Sequence, residues 1–148
     1  MMEKLPPIEK IYEAYSAIAD QRVTLKDDHG EVFSSDKRKC YTVSFDGNTY
    51  SSNDNATYWQ GYAGYPVIAI LLLQGKLPFH EKTAELFRDI NWNSLNDQFK
   101  RNYRKAAESV MKQRDMDIEK IEKETQGVYE ALGKLDIVIK KGKIRPVR

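Results

Sequence analysis

Residues 56–77, ATYWQGYAGYPVIAILLLQGKL, concentrate so much aromatic and aliphatic surface that the fold has to be organised around removing them from water. The longest apolar run inside them, residues 67–73, is far shorter than the roughly 20 residues of a membrane-crossing helix. It reads instead as a buried helix. Pro66 suits a first helical turn, Gly75 suits the left-handed residue that ends a helix, and Pro78 prevents continuation. The preceding residues differ in kind. Tyr58, Tyr62 and Tyr65 share helical spacing, Trp59 stands among them, and every ring joins an apolar body to a polar tip. Such rings suit the edge of a core as well as a binding surface, so Tyr58, Trp59, Tyr62 and Tyr65 are the partner-binding candidates.

The flanking sequence supplies what can cover this hub. Pro6-Pro7 followed by Ile8, Ile11, Tyr12, Tyr15, Ile18 and Ala19 predicts an N-terminal helix. Residues 22–26 turn β-branched and alternating, Asp28-His29-Gly30 supplies turn chemistry, and residues 31–33 resume an extended pattern, which predicts a hairpin. Tyr41, Val43 and Phe45 alternate with Thr42 and Ser44, and Asp46-Gly47-Asn48 is the strongest turn signal in the chain. A small antiparallel meander over about residues 22–52 follows. Ser51 to Asp54 offer N-caps for a short helical turn over residues 57–60.

After Pro78 the pattern is helical: residues 81–90, a break at Asn91-Trp92-Asn93, one long helix over residues 94–112, and a last helix over residues 117–132 closed by Gly133. Ile118, Ile121, Thr125, Val128 and Leu132 form its packing stripe, suited to a helix of this chain or of a second copy. Leu135, Ile137 and Ile139 alternate, which predicts a terminal strand joining the meander before the basic tail that starts at Lys140. The expected class is α+β in a single domain over residues 1–148. Helix and meander occupy about residues 1–55, the helical part residues 56–134, and the strand and tail residues 135–148.

With one cysteine, Cys40, no internal disulfide can form, and a lone thiol fits a reducing compartment. The N-terminus begins with charges and two prolines and has no apolar leader core, so a cytoplasmic location is expected, with no membrane partner. Residues 1–60 hold seven Lys and Arg against ten Asp and Glu, and residues 61–148 hold seventeen against twelve. The basic second half permits an acidic partner without demanding nucleic acid.

Four constellations invite chemistry. On the predicted long helix, Lys100, Arg101, Arg104, Lys105 and Lys112 fall on one side and Leu95, Phe99, Tyr103, Ala106 and Val110 on the other. A basic helix after a short break resembles a helix-turn-helix, which makes these five residues and the tail the nucleic-acid candidates. Glu108 interrupts the face, and a solvated helix surface explains it equally. The aromatic cluster is the second constellation. The third, Asp27, Asp28, His29, Asp46 and Asp54 at turns and strand ends, has the ligand types for a divalent cation in a small metal-dependent hydrolase, although turn chemistry already accounts for most of them. The fourth pairs Cys40 with His29 or His80 as nucleophile and base, with nothing to bring them together. No nucleophile elbow, metal-ligand spacing or phosphate-binding glycine pattern occurs. By elimination, the leading expectation is a non-catalytic binding or regulatory protein engaging a macromolecular partner, or a homo-oligomer, with no cofactor, metal or catalytic residue assigned.

Overall fold

A helix that is apolar on every side can be stable in water only as an inner layer, and the segment Tyr65–Leu73 takes that place as α3. In the computed structural model, which describes residues 4–146, α3 lies between α1 (Lys10–Ala19) on one side and a sheet on the other. Residues 66–72 of α3 are buried, whereas Leu73, expected in the core, is 38% exposed at the end of the helix. Tyr65 and Pro66 open α3 with proline in the first turn, and Gly75 at φ 74° follows its last turn.

The sheet has five strands in sequence order: β1 (Val23–Leu25), β2 (His29–Phe33), β3 (Cys40–Asp46), β4 (Thr49–Ser52) and β5 (Val138–Ile139). β1 to β4 are an antiparallel meander, and β5 adds parallel to β4. The Asp46-Gly47-Asn48 turn forms as expected, with Gly47 at φ 60° and Asp46 paired to Thr49. The first hairpin differs from the expectation, because His29 and Gly30 are strand residues and the turn lies before them. Tertiary packing is the reason: Gly30 pairs with Val43 on the face that meets Ile70 of α3, where a side chain would not fit.

The helical half is more broken than its periodicity implied. It contains α2 (Asn55–Gln60), α4 (Glu81–Glu85), α5 (Trp92–Gln98), α6 (Tyr103–Gln113) and α7 (Ile118–Lys134). The single helix expected over residues 94–112 is two helices, because Lys100 and Arg101 adopt φ 52° and 65° and Asn102 caps α6. Trp92, read as part of a break, instead starts α5 and is buried. Gly133 does not end the last helix; it lies inside α7, next to Leu5. The α7 stripe packs within the chain, on α1: Ile121, Thr125, Val128 and Leu132 are buried, and the Thr125 hydroxyl is satisfied by the Ile121 carbonyl at 2.7 Å. The chain is thus α+β. Among the described residues no helix is long and apolar enough to cross a membrane. Met1 to Glu3 and the last two tail residues, Val147 and Arg148, lie outside the described residues.

Candidate functional site

The sequence between β4 and α3 fixes a short helix at both ends. Asp54 is the N-cap of α2, accepting from the Thr57 backbone at 3.0 Å and from the Ser52 hydroxyl at 2.5 Å. Gly61, at φ 75°, stops the helix after two turns, and the Gly64 N–H donates to Thr57 Oγ1 at 2.9 Å. A methyl group on Gly64 would run into the Asp54 carboxylate, so the return of the chain against α2 requires glycine there. This clamp holds the outer face of α2 in place.

Trp59 occupies that face and is 62% exposed. Tyr58 meets it edge-on with centroids 4.6 Å apart and planes at 78°. The Lys141 ammonium lies 4.6 Å from the Trp59 ring centroid and 4.8 Å from that of Tyr58, which brings the basic tail onto the aromatic cluster. Lys4 reaches the same helix from the other terminus, donating to Gln60 Oε1 at 3.3 Å and lying 5.4 Å from the Tyr62 centroid. Of the four aromatic candidates, Tyr65 packs partly buried against the core at the floor of the adjoining cleft, with Tyr41 at its edge at 6.2 Å, and burial pushes its hydroxyl pKa up strongly. Burial likewise pushes Tyr41 up to about 12. Tyr58 and Tyr62 are half-buried. The cluster therefore divides into a core-edge tyrosine and an exposed rim centred on Trp59.

Beside Trp59 opens a cleft of about 620 Å³, within the size range of ligand pockets. Lys10 and Glu13 of α1 lie buried in it, 3.1 Å apart, with the Lys10 ammonium 4.1 Å from the Tyr103 ring centroid. Burial pushes the Glu13 carboxyl up, against the pull of Lys10 and of the Asn96 amide hydrogen bond. For Lys10, burial disfavours the charge, but Glu13 and the nearby tyrosines outweigh it and the ammonium is held above its ordinary value. The other acids lining the cleft are engaged as well: Asp54 in its cap, Asp97 with Arg101 at 2.9 Å, and Asp36 with three donors. Arg38 and Lys39 at the same cleft make no ion pair among the described residues.

Asp36 accepts from the Ser34 hydroxyl at 2.7 Å, the Arg38 backbone at 3.0 Å and the Asn93 amide at 3.2 Å. These bonds, the Ser34 one first, hold its pKa down at about 2. A carboxyl whose folded-state pKa is depressed contributes stability above its unfolded value, and the contribution is lost as pH falls through the folded one. Acid unfolding of Asp36→Asn should therefore be less steep between about pH 4, the ordinary carboxylate value, and pH 2. Equilibrium denaturation at a series of pH values measures it, and identical acid profiles for the two proteins would refute the assignment.

The remaining constellations do not assemble as the sequence suggested. Lys100 and Arg101 sit in the turn between α5 and α6 rather than on a helix, because their left-handed backbone breaks it. Arg101 pairs with Asp97, and Arg104 pairs with Glu108 at 3.1 Å. Lys100, Lys105 and Lys112 are exposed and make no ion pair among the described residues. His29 is flanked by Asp28 at 2.7 Å and Glu31 at 3.6 Å, and it lines a shallow depression with Asp27 and Asp46. Asp54, grouped with these residues by sequence, is buried at the α2 cap instead. Among the described residues no three His, Cys, Asp or Glu side chains come together as a ligand set. Cys40 pairs with Phe33 while His29 pairs with Ser44, four positions along the ladder or about 13 Å at strand rise. Burial pushes the Cys40 thiol up, away from the thiolate. His80 precedes α4 and contacts Glu124 at 3.2 Å.

Sequence reasoning missed Lys10, Glu13, Asn96, Arg38 and Lys39 as neighbours of the aromatic cluster. The only local signal was a Lys and a Glu three residues apart on the predicted N-terminal helix. A protein family described as "Uncharacterised conserved protein UCP014422" matches residues 3–138. No curated protein and no solved structure matches.

Proposed function

We propose that this chain, which belongs to the family of uncharacterised conserved proteins UCP014422, is a non-catalytic binding protein of the cytoplasm that receives a macromolecular partner on the Trp59 rim of the cleft. One observation carries this reading. A tryptophan left 62% exposed is braced by Tyr58 and Lys141 on a helix whose two ends are clamped. Tryptophan is the side chain most enriched among residues that dominate binding energy, and a ring already held in place loses little freedom on binding. The lone, half-buried Cys40 agrees with a reducing compartment.

Trp59→Ala should shift the melting temperature by less than about 2 °C, because an exposed ring contributes little to the core. A photo-crosslinking amino acid placed at the exposed position 55, one turn before Trp59 on the cleft side of α2, should yield a covalent adduct in living cells that Trp59→Ala diminishes, whereas the same group at the exposed position 82 of α4 should not. Adducts no more abundant at 55 than at 82 would rule the surface out. A large fall in melting temperature would make Trp59 a structural residue.

A further inference from the structure

We infer that the macromolecule received at this rim is a single-stranded nucleic acid, with one base stacked on the Trp59 ring and neighbouring phosphates met by Lys4, Arg38, Lys39 and Lys141. The inference rests on the partner-binding reading and gives the partner its chemistry. On the Trp59 rim and the cleft beside it the fold gathers four cations from three distant stretches of chain: Lys141 after β5 over the indole itself, Lys4 before α1 on Gln60 and Tyr62, and Arg38 and Lys39 before β3 lining the cleft. None of the four makes an ion pair among the described residues. Of the carboxylates nearby, Glu13 and Asp97 are paired with Lys10 and Arg101, whereas Asp36 and Asp54 accept hydrogen bonds from neutral donors and keep their charge. The four cations outnumber these two carboxylates, so the rim and cleft carry an excess of positive charge beside a planar apolar surface.

Single-stranded nucleic acid combines the two complementary features, a flat π face on every residue and a negative charge between residues. An acidic peptide matches the charge alone. A duplex keeps its bases stacked on one another and cannot offer a face to Trp59 without unpairing. The geometry also moves the basic surface away from α6, where Arg104 is neutralised by Glu108.

Fluorescence anisotropy with a labelled oligothymidylate of about twelve nucleotides tests this on the full chain. Binding is expected at low salt, with affinity falling linearly in log–log form as salt rises. Trp59→Ala should weaken it about tenfold, the loss of one base-stacking contact. Lys39→Glu with Lys141→Glu should lower the salt slope by about 1.4, at about 0.7 per phosphate contact. Lys105→Glu with Lys112→Glu on α6 should change neither quantity, and melting curves of all variants establish that they fold. The inference is overturned if the oligonucleotide fails to bind at about 100 μM protein, if duplex binds as tightly, or if Trp59→Ala leaves the affinity unchanged. Should polyglutamate bind instead and lose its binding in Trp59→Ala, the partner is an acidic protein: the partner-binding reading stands and the nucleic-acid assignment falls.

Discussion

Ser16→Ala should destabilise the protein by about 3 kcal/mol, the largest effect expected of any single methyl-sized change in this chain. Ser16 is fully buried, and its hydroxyl donates to the Phe87 carbonyl at 2.5 Å while accepting from Trp92 Nε1 at 2.8 Å. One side chain on α1 thus satisfies a buried carbonyl beyond α4 and a buried indole N–H on α5. Alanine leaves both without a partner in a region closed to water, and each such group costs about 1–3 kcal/mol. Phe87 is further held by stacking on Tyr12 at 4.9 Å, so the segment cannot easily withdraw to find solvent. Chemical denaturation gives the magnitude, and a cycle with Trp92→Phe gives the mechanism. With the indole donor already removed, Ser16→Ala should cost measurably less than in the parent chain. Strict additivity would mean that the hydroxyl is not the tie. Because α5 also carries Asn96 into the cleft, this bond positions one wall of the candidate site as well as the core.

Gly30→Ala should cost about 2 kcal/mol by overpacking. A β-carbon built on Gly30 would overlap the Ile70 Cδ1 methyl, stand 3.0 Å from Ile70 Cγ1 and 3.3 Å from the Thr24 carbonyl. Ile70 is fully buried at the centre of α3, in a close-packed interior where a displaced side chain costs free energy. Ile70→Val deletes the offending methyl. Alone it should cost about 1 kcal/mol, yet combined with Gly30→Ala it should recover stability, so that the pair is less damaging than the sum. If the double variant is as unstable as the sum of its parts, close packing of the sheet on α3 is not the reason for glycine at this position.

Both residues mark where local reading stops. Gly30 looked like turn chemistry because Asp-His-Gly is a common turn composition, and its actual role, letting a strand approach a helix, involves Ile70 far along the chain. The break at residues 99–102 escaped for a related reason. The amphipathic spacing from Leu95 through Val110 is continuous across it, yet Lys100 and Arg101 adopt the left-handed conformation, for which their composition gives no warning. By contrast, the Asp46-Gly47-Asn48 hairpin and the Pro66 and Gly75 limits of α3 were legible, because each rests on a backbone preference within a few residues.

The candidate site divides along the same line. Trp59 and its tyrosines stood out by composition alone, but rings that join an apolar body to a polar tip left open whether they faced the core or water. What settled it was the clamp of α2 by Asp54 and Gly64, together with the arrival of Lys141 and Lys4 from opposite ends of the chain. By itself, then, the sequence determined the α+β class, the buried hub at residues 66–72 and the turns that delimit it, since these follow from periodicity and short-range backbone chemistry. Only the tertiary structure decided that Tyr65 packs against the core, that Trp59 stays outside and that Lys141 lies over it, with Arg38 and Lys39 on the adjoining cleft. Those facts depend on contacts between residues far apart in the chain, which no local spacing encodes.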